Sequence, residues 1–304
     1  MNSTSTTQSL TDKTPFASRN WYYRFRQMPT AFPGDKCKGP AECLLQHYSE
    51  ITKDWNEEKN SEWLCRFFLG AKLVMAATLH VNALRYAESK NLRVVIPYLR
   101  YYSVFSLFRA VCYSLPDMEW KINIRHGDAI KAVITHLGQL DTKVAGNIKK
   151  EISRLKAERE LISYRAPSCG DEQISEKNRF LGTCTLLAEV AQFNSELFEA
   201  SMNEYAGSDI FQLKYDYLEK LTSVEINRHY FGDKEDAWQL DYLSQNHPRP
   251  ANIMHLMTEG FVDNFFGAWA PSSEDADMFN PDKLKDIIFD ICHGAPQQRH
   301  PRPA

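Results

Sequence analysis

Two short patterns in this sequence combine residue types that can act on a phosphate group. In RPANIMH, His255 follows Arg249 six positions later, and in RELISY, Tyr164 follows Arg159 five positions later. An arginine stabilises negative charge on phosphate oxygens, and a histidine exchanges protons near neutral pH. A phenol, with an ordinary pKa of about 10, is a poor base at neutral pH, but it can hold a phosphate or a water molecule. These four residues are the candidate catalytic residues.

The spacing of Arg249 and His255 is weak evidence, because a chain with this many arginines and histidines contains about one or two such spacings by chance. The local context is more favourable. Pro250 suits the first turn of a helix, so Arg249 is predicted at the helix end that attracts anions, with His255 less than two turns away.

Four further residues are candidates for ligand binding, namely His80, Arg100, Arg109 and His126. His80 and Arg109 are both predicted on apolar helix faces. Each has a structural alternative: His80 as a hydrogen-bonded core residue, and Arg109 with its head in water or paired with a carboxylate. If the chain binds RNA, we expect Arg109, Arg159 and His80 to converge on one polar pocket.

No cofactor and no metal site are expected. The sequence has no glycine-rich phosphate loop, no His-Glu-x-x-His and no Gly-x-Ser-x-Gly. Its seven cysteines are odd in number and scattered, and the close pair Cys37 and Cys43 has no second pair at zinc-binding spacing. Scattered cysteines favour a reducing compartment, so a cytoplasmic protein is expected.

The overall charge excludes a general nucleic-acid-coating role. A net charge of -3 and a pI near 6.3 give no global basic field, so any nucleic-acid contact must be local. No run approaches eighteen apolar residues, and the polar start MNSTSTTQSLTDKTP lacks the apolar core of a signal peptide. No membrane association is expected.

Helices must position these side chains, and the central helix is predicted over residues 98–115, YLRYYSVFSLFRAVCYSL. At 100° per residue its aromatic side chains lie on one arc, and Val104, Leu107 and Val111 lie nearly opposite. A strip of small residues between the two stripes lets another helix axis come close. A helix that is apolar on two sides needs neighbours on two sides, so this segment is predicted to be a core helix.

Further helices are predicted before and after it. They cover residues 41–51, 61–89, 128–137, 142–166, 176–205, 212–229, 236–245, 251–269 and 282–292, with Gly138 ending the third and Ser175 capping the fifth. Long helices joined by short connections are typical of a bundle. The predicted organisation is a disordered N-terminus (1–15), a bundle with an N-terminal arm (16–206), a helical C-terminal subdomain (207–293) and a disordered tail (294–304).

Three landmarks in order, YYSVFSLFRAV, RHGDAIKAVITHL and LKAERELISYRAP, resemble the HEPN superfamily of helical bundles found in toxin–antitoxin and phage-defence systems. The corresponding residues are Tyr101, Tyr102 and Phe105 in the first landmark, His126 and Gly127 in the second, and Arg159 and Tyr164 in the third. The resemblance covers residues 62–203 and implies an all-α, HEPN-like helical bundle, here with an additional helical C-terminal subdomain.

The sequence departs from the pattern of HEPN ribonucleases, in which four to six residues separate an arginine from a histidine that takes part in cleavage. The matching region lacks this pair, since Tyr164 stands in place of the histidine and Ser163 where small HEPN proteins often have aspartate. The resemblance therefore implies a protein, expected as a homodimer, that binds RNA, a nucleotide or a protein partner such as an antitoxin or defence component. Two alternatives stay open: a metal-independent endoribonuclease and a non-catalytic adaptor.

Overall fold

The structure, a computed structural model, describes residues 16–168, 170, 180–207, 211–226 and 228–269. Within these ranges the chain forms eleven α-helices, one 3-10 turn and one two-stranded hairpin, which confirms the predicted all-α bundle. The elements are α1 (Gln27–Ala31), α2 (Gly34–Lys53), α3 (Glu57–Ser89), the 3-10 turn (Arg93–Val95), α4 (Ile96–Ser114), α5 (His126–Leu140), α6 (Thr142–Arg165), α7 (Phe180–Tyr205), α8 (Tyr215–Thr222), β1 (Ser223–Ile226), β2 (His229–Gly232), α9 (Lys234–Asn246), α10 (Ile253–Leu256) and α11 (Glu259–Gly267).

Helix α4 is the predicted central helix, and it packs against α3, α5, α6 and α7. Residues from both of its apolar stripes are fully buried, among them Tyr101, Leu107 and Phe108. Burial of each such side chain stabilises the fold by about 1.5–3 kcal/mol. The strip of small residues on α4 allows close packing as expected, since a Cβ added at Gly70 of α3 would lie 3.9 Å from the carbonyl oxygen of Ala110.

Helix α3 begins with a strong N-terminal signal. The Asn56 side chain accepts a hydrogen bond of 2.9 Å from the backbone N–H of Lys59, and Glu57 and Glu58 place negative charge in the first turn. Among the described helices, α3 alone is long and apolar enough to cross a membrane by length and composition, and 61% of its most apolar window is buried inside the protein. In the bundle, α3 serves as a core helix beside α4.

The N-terminal arm is held to α7 through its backbone. Two buried glutamates on α7 accept its N–H groups: Glu196 from Tyr22 and Tyr23, and Glu189 from the start of α1 at Arg26, Gln27 and Met28. The five distances lie between 2.6 and 2.9 Å. Glu189 therefore caps α1 from another helix, since the first N–H groups of a helix have no partner within it.

Several predicted helix limits need correction. Helix α2 begins at Gly34, seven residues before the predicted start at residue 41. The segment predicted as a helix over 212–229 is helical only in α8 and continues as the β1–β2 hairpin, with Arg228 at a positive φ of 66° in the turn. The hairpin forms because two short segments that contain β-branched and aromatic residues, SVEI and HYFG, flank a tight turn. Gly138 does not end α5, which continues to Leu140.

The segment predicted as one helix over 251–269 is divided into α10 and α11. Thr258 lies between them and accepts a hydrogen bond from the N–H of Phe261, so it starts a new helix instead of continuing the old one. Ile253 of α10 packs against Gly70 of α3, and residues 211–269 contribute side chains to the same hydrophobic core as the bundle. The predicted Ser175 cap, the helix over 282–292 and the disorder of 1–15 and 294–304 lie outside the described residues.

Candidate functional site

Helices α4, α5 and α6 bring four polar or aromatic side chains into one cluster. We call Tyr101, Tyr102, His126 and Arg159 the α4–α6 cluster. The Tyr101 hydroxyl oxygen lies 2.6 Å from Nδ1 of His126, and the Arg159 guanidinium carbon lies 5.0 Å from the centre of the Tyr101 ring. Three segments that are distant in sequence thus meet through a hydrogen bond and a cation–π contact.

Arg159 is the main cation of the cluster. One terminal nitrogen donates a hydrogen bond of 3.3 Å to the Tyr102 hydroxyl, the other lies 3.3 Å from the Glu160 carboxylate, and Nε is buried without a hydrogen-bond partner. Its side chain is only 16% exposed, in agreement with the inward direction expected from α6. The guanidinium is held in place by aromatic rings while part of its donor capacity stays unused.

His126 is the first residue of α5 and lies on the solvent side of the cluster. Its ring stacks on Phe105 with the centroids 3.8 Å apart, and the side chain is exposed. Desolvation of the ring, followed by the positive charges of Arg159, Lys156 and Arg109, lowers the pKa of His126 below the ordinary 6.5. The imidazole is therefore predominantly neutral at pH 7.

The N-terminal end of α5 adds backbone donors next to this ring. Its N-cap residue, Arg125, makes no side-chain capping hydrogen bond. The N–H groups of the first helical turn, at His126, Gly127 and Asp128, have no acceptor within the helix, and the helix dipole gives this end partial positive charge. No atom from elsewhere in the described fold stands within 4 Å of the position of a Cβ on Gly127. The arrangement suits an anion.

Two other sequence-predicted binding residues have structural partners. Arg109 donates a hydrogen bond of 3.1 Å to the carbonyl oxygen of Ile122 and so anchors the loop before α5. Its acceptor here is a backbone carbonyl, whereas one expected partner was a carboxylate. Arg100 is buried and lies 3.4 Å from the carboxylate of Glu88 at the end of α3. Both contacts tie neighbouring segments to α4.

The three residues of the expected pocket lie on three helices, Arg109 on α4, Arg159 on α6 and His80 on α3. The charges of both arginines lower the pKa of His126. His80 lies on α3, where its Nδ1 is buried without a hydrogen-bond partner, and desolvation lowers its pKa. Tyr164 is 75% exposed, so its side chain lies largely in solvent beyond the cluster.

A second histidine site is formed by α7, α10 and the arm. Nδ1 of His255 lies 3.1 Å from the Glu199 carboxylate, whose other oxygen accepts a hydrogen bond of 2.6 Å from Asn252. The Tyr22 ring packs against the imidazole with the centroids 4.1 Å apart. Although burial opposes it, hydrogen bonding by His255 and Asn252 lowers the pKa of Glu199, so this carboxylate is ionised and orients His255.

The position predicted for Arg249 is wrong. Residues 247–252 are not helical and α10 begins only at Ile253, so Arg249 does not stand at a helix N-terminus. Instead, its guanidinium lies 5.3 Å from the centre of the Phe211 ring. Burial lowers its pKa, partly offset by the charge of Glu199. Arg249 thus lies near the Glu199–His255 pair through tertiary structure, without the helix that the sequence suggested.

Sequence reasoning missed the partners of both histidines. Glu199 stands 56 residues before His255, and no local pattern connects them. Lys156 was detectable, since it lies one helical turn before Arg159 and therefore on the same side of α6. Among the described residues there is no group of three or more His, Cys, Asp or Glu side chains arranged to hold a metal ion.

Comparison of this chain with family models, with curated protein sequences and with solved structures finds no match.

Proposed function

We propose that this protein is a HEPN-like RNA- or nucleotide-binding protein that holds a phosphate group at the α4–α6 cluster. The observation that carries the proposal is the meeting of His126 and Arg159 around Tyr101, with the N-terminal end of α5 beside them. These are positions on which the HEPN resemblance rests. The resemblance also supports a role in a toxin–antitoxin or antiviral defence module, in a homodimer or with a protein partner.

The chemistry of the cluster favours phosphate over a neutral ligand. Arg159, Lys156 and Arg109 all act on His126 as positive charges, whereas the nearby carboxylates are Glu160 beside Arg159 and Asp128 in the first turn of α5. Hydrogen bonds from charged donors to phosphate are roughly twice as strong as those between neutral groups. A phosphate between His126 and Arg159 would therefore gain both charge attraction and directed donors.

Binding of a fluorescent single-stranded oligoribonucleotide, measured by anisotropy, tests the proposal. Replacing Arg159 by alanine removes the main cation and is expected to weaken binding at least tenfold, with Arg159→Lys intermediate because lysine keeps the charge without the planar fork. Arg249→Ala serves as the matched control, since it removes another partly exposed guanidinium, at the other site. Equal loss from both variants, or no binding by the folded wild-type protein, contradicts the proposal.

A second candidate function, a metal-independent endoribonuclease, is favoured by the Glu199–His255 pair. In the tautomer that donates Nδ1–H to Glu199, the other imidazole nitrogen of His255 carries a lone pair suited to a general base. It would take the proton of a ribose 2′-hydroxyl, whose oxygen attacks the adjacent phosphorus. The bond from phosphorus to the 5′-oxygen breaks, this oxygen takes a proton from water, and the products are a 2′,3′-cyclic phosphate and a 5′-hydroxyl end.

Incubation of RNA with the purified protein in EDTA tests this second candidate. Cleavage that is lost in His255→Ala and Glu199→Gln, and kept in His126→Gln, supports it. Intact RNA after prolonged incubation with the wild-type protein excludes it, while leaving the binding proposal open to its own measurement.

A further inference from the structure

The hydrogen bond between Tyr101 and His126 fixes what the exposed side of the imidazole offers. Tyr101 is fully buried, and among the described residues Nδ1 of His126 is the single hydrogen-bond partner of its hydroxyl. Burial raises the pKa of Tyr101 to about 12, so the phenol keeps its proton. A buried donor without an acceptor costs about 1–3 kcal/mol, so the phenol donates and Nδ1 accepts.

It follows that neutral His126 carries its proton on Nε2. The exposed nitrogen is then a hydrogen-bond donor and has no lone pair with which to act as a base. His255 has a different environment, since its Nδ1 lies 3.1 Å from an oxygen of the Glu199 carboxylate and 2.9 Å from the amide nitrogen of Asn252. The exposed nitrogen of His126 is therefore set to donate a hydrogen bond to a bound oxygen.

The other groups on this side of the cluster are donors as well. The guanidinium of Arg159 donates through its terminal nitrogens, the ammonium of Lys156 lies as far as 3.8 Å from Glu160, and the first-turn N–H groups of α5 have no side-chain cap. A ligand that satisfies several donors at once must present several acceptor oxygens, and it needs no hydrogen-bond donor of its own. It must also carry enough negative charge to offset Arg159, Lys156 and Arg109.

An internal phosphodiester meets this requirement poorly, because it has one negative charge and two free oxygens, with an ester group on each side. A terminal phosphate has three free oxygens and a charge of about -1.5 to -2 at pH 7. Resting on the proposed function, we infer that the α4–α6 cluster recognises a terminal phosphomonoester, as found at a phosphorylated RNA end or on a mononucleotide, in preference to an internal phosphodiester.

Three single-stranded oligoribonucleotides of one sequence distinguish these ligands: one with a 5′-phosphate, one with a 3′-phosphate and one with hydroxyls at both ends. We expect at least one phosphorylated form to bind the wild-type protein tenfold or more tightly than the unphosphorylated form. Competition by a nucleoside 5′-monophosphate and by inorganic phosphate separates recognition of the nucleotide from recognition of the phosphate alone.

The tenfold preference is expected to disappear in His126→Ala and to return in part in His126→Gln, whose amide restores a donor. Because His126 is exposed, both variants are expected to fold, and circular dichroism checks this. If the wild-type protein binds all three oligonucleotides equally and Arg159→Ala binds none of them, the inference is overturned and the proposed function stands. Binding of none of them overturns both.

Discussion

Replacing Tyr101 by phenylalanine removes one hydroxyl and leaves the packing of the α4–α6 cluster in place. The ring still stacks beside Phe105 at 5.8 Å between centroids, and Arg159 still lies over its face. What is lost is the hydrogen bond of 2.6 Å to His126. A hydrogen bond of this kind contributes about 0.5–1.5 kcal/mol net, so Tm should fall by about 1–6 °C.

The larger effect of Tyr101→Phe is expected on the proton of His126. A preference of about 1 kcal/mol corresponds to roughly a fivefold ratio of the two neutral tautomers, since about 1.4 kcal/mol is tenfold. In the wild-type protein, nitrogen NMR near pH 7 should show Nδ1 as an acceptor and Nε2 as protonated. In the variant the 15N chemical shifts of the two nitrogens should move towards each other. If the ratio falls from about 5:1 to about 1:1, the population of the Nε2–H tautomer falls from about 83% to about 50%, so binding of a terminal phosphate should weaken by roughly 1.7-fold.

Tyr113→Phe is the matched control for this experiment. Tyr113 is also a buried phenol on α4, and its hydroxyl donates a hydrogen bond of 2.5 Å to the carbonyl oxygen of Ile122. It should lose similar stability without changing the nitrogen signals of His126. A wild-type His126 that is protonated on Nδ1 would refute the reasoning, as would equal changes in the two variants.

Four further predictions follow from single contacts. Burial lowers the pKa of His136 from 6.5 to about 4, so on acidification the unfolded chain binds a proton at this residue before the folded chain does. The free energy of unfolding should therefore fall by up to about 3 kcal/mol as pH drops from 6.5 to 4. In urea unfolding, His136→Gln should reduce this dependence on pH. Glu189→Gln replaces one of two oxygens that accept three N–H groups of the arm, and it should cost about 1.5–3 kcal/mol and speed proteolytic cleavage within the arm. Gly70→Val should destabilise by about 1–3 kcal/mol in thermal unfolding, because even a Cβ there lies 3.2 Å from Ile253 Cδ1. Asp128→Asn removes a negative charge beside the α4–α6 cluster and should tighten phosphate binding by roughly two- to threefold at low salt, with a smaller gain in 0.5 M salt.

The bundle could be predicted from the sequence where strong local signals agree. Helix α4 lies within two residues of its predicted limits because Pro97 and Pro116 stand at its ends and its two apolar stripes demand burial. Helix α6 ends at Arg165, one residue before the predicted limit. The prediction failed at β1 and β2, where four-residue strands are too short to give a clear period.

The candidate site was predictable in its residues but not in its contacts. Tyr101, His126 and Arg159 were singled out, yet sequence spacing does not show that a phenol holds one nitrogen of the imidazole. His255 was singled out through its spacing from Arg249, whereas its hydrogen-bonded carboxylate is Glu199 on α7. Such partners are set by helix packing, which brings together residues that no local pattern relates.

The docking of the arm has a consequence for how its sequence can vary. Glu189 and Glu196 contact main-chain N–H groups, which every amino acid except proline supplies. These contacts therefore set no requirement on the side chains, while proline should be missing from positions 22, 23, 26, 27 and 28. The absence of proline at these five positions would mark a homologue in which the arm docks in the same way.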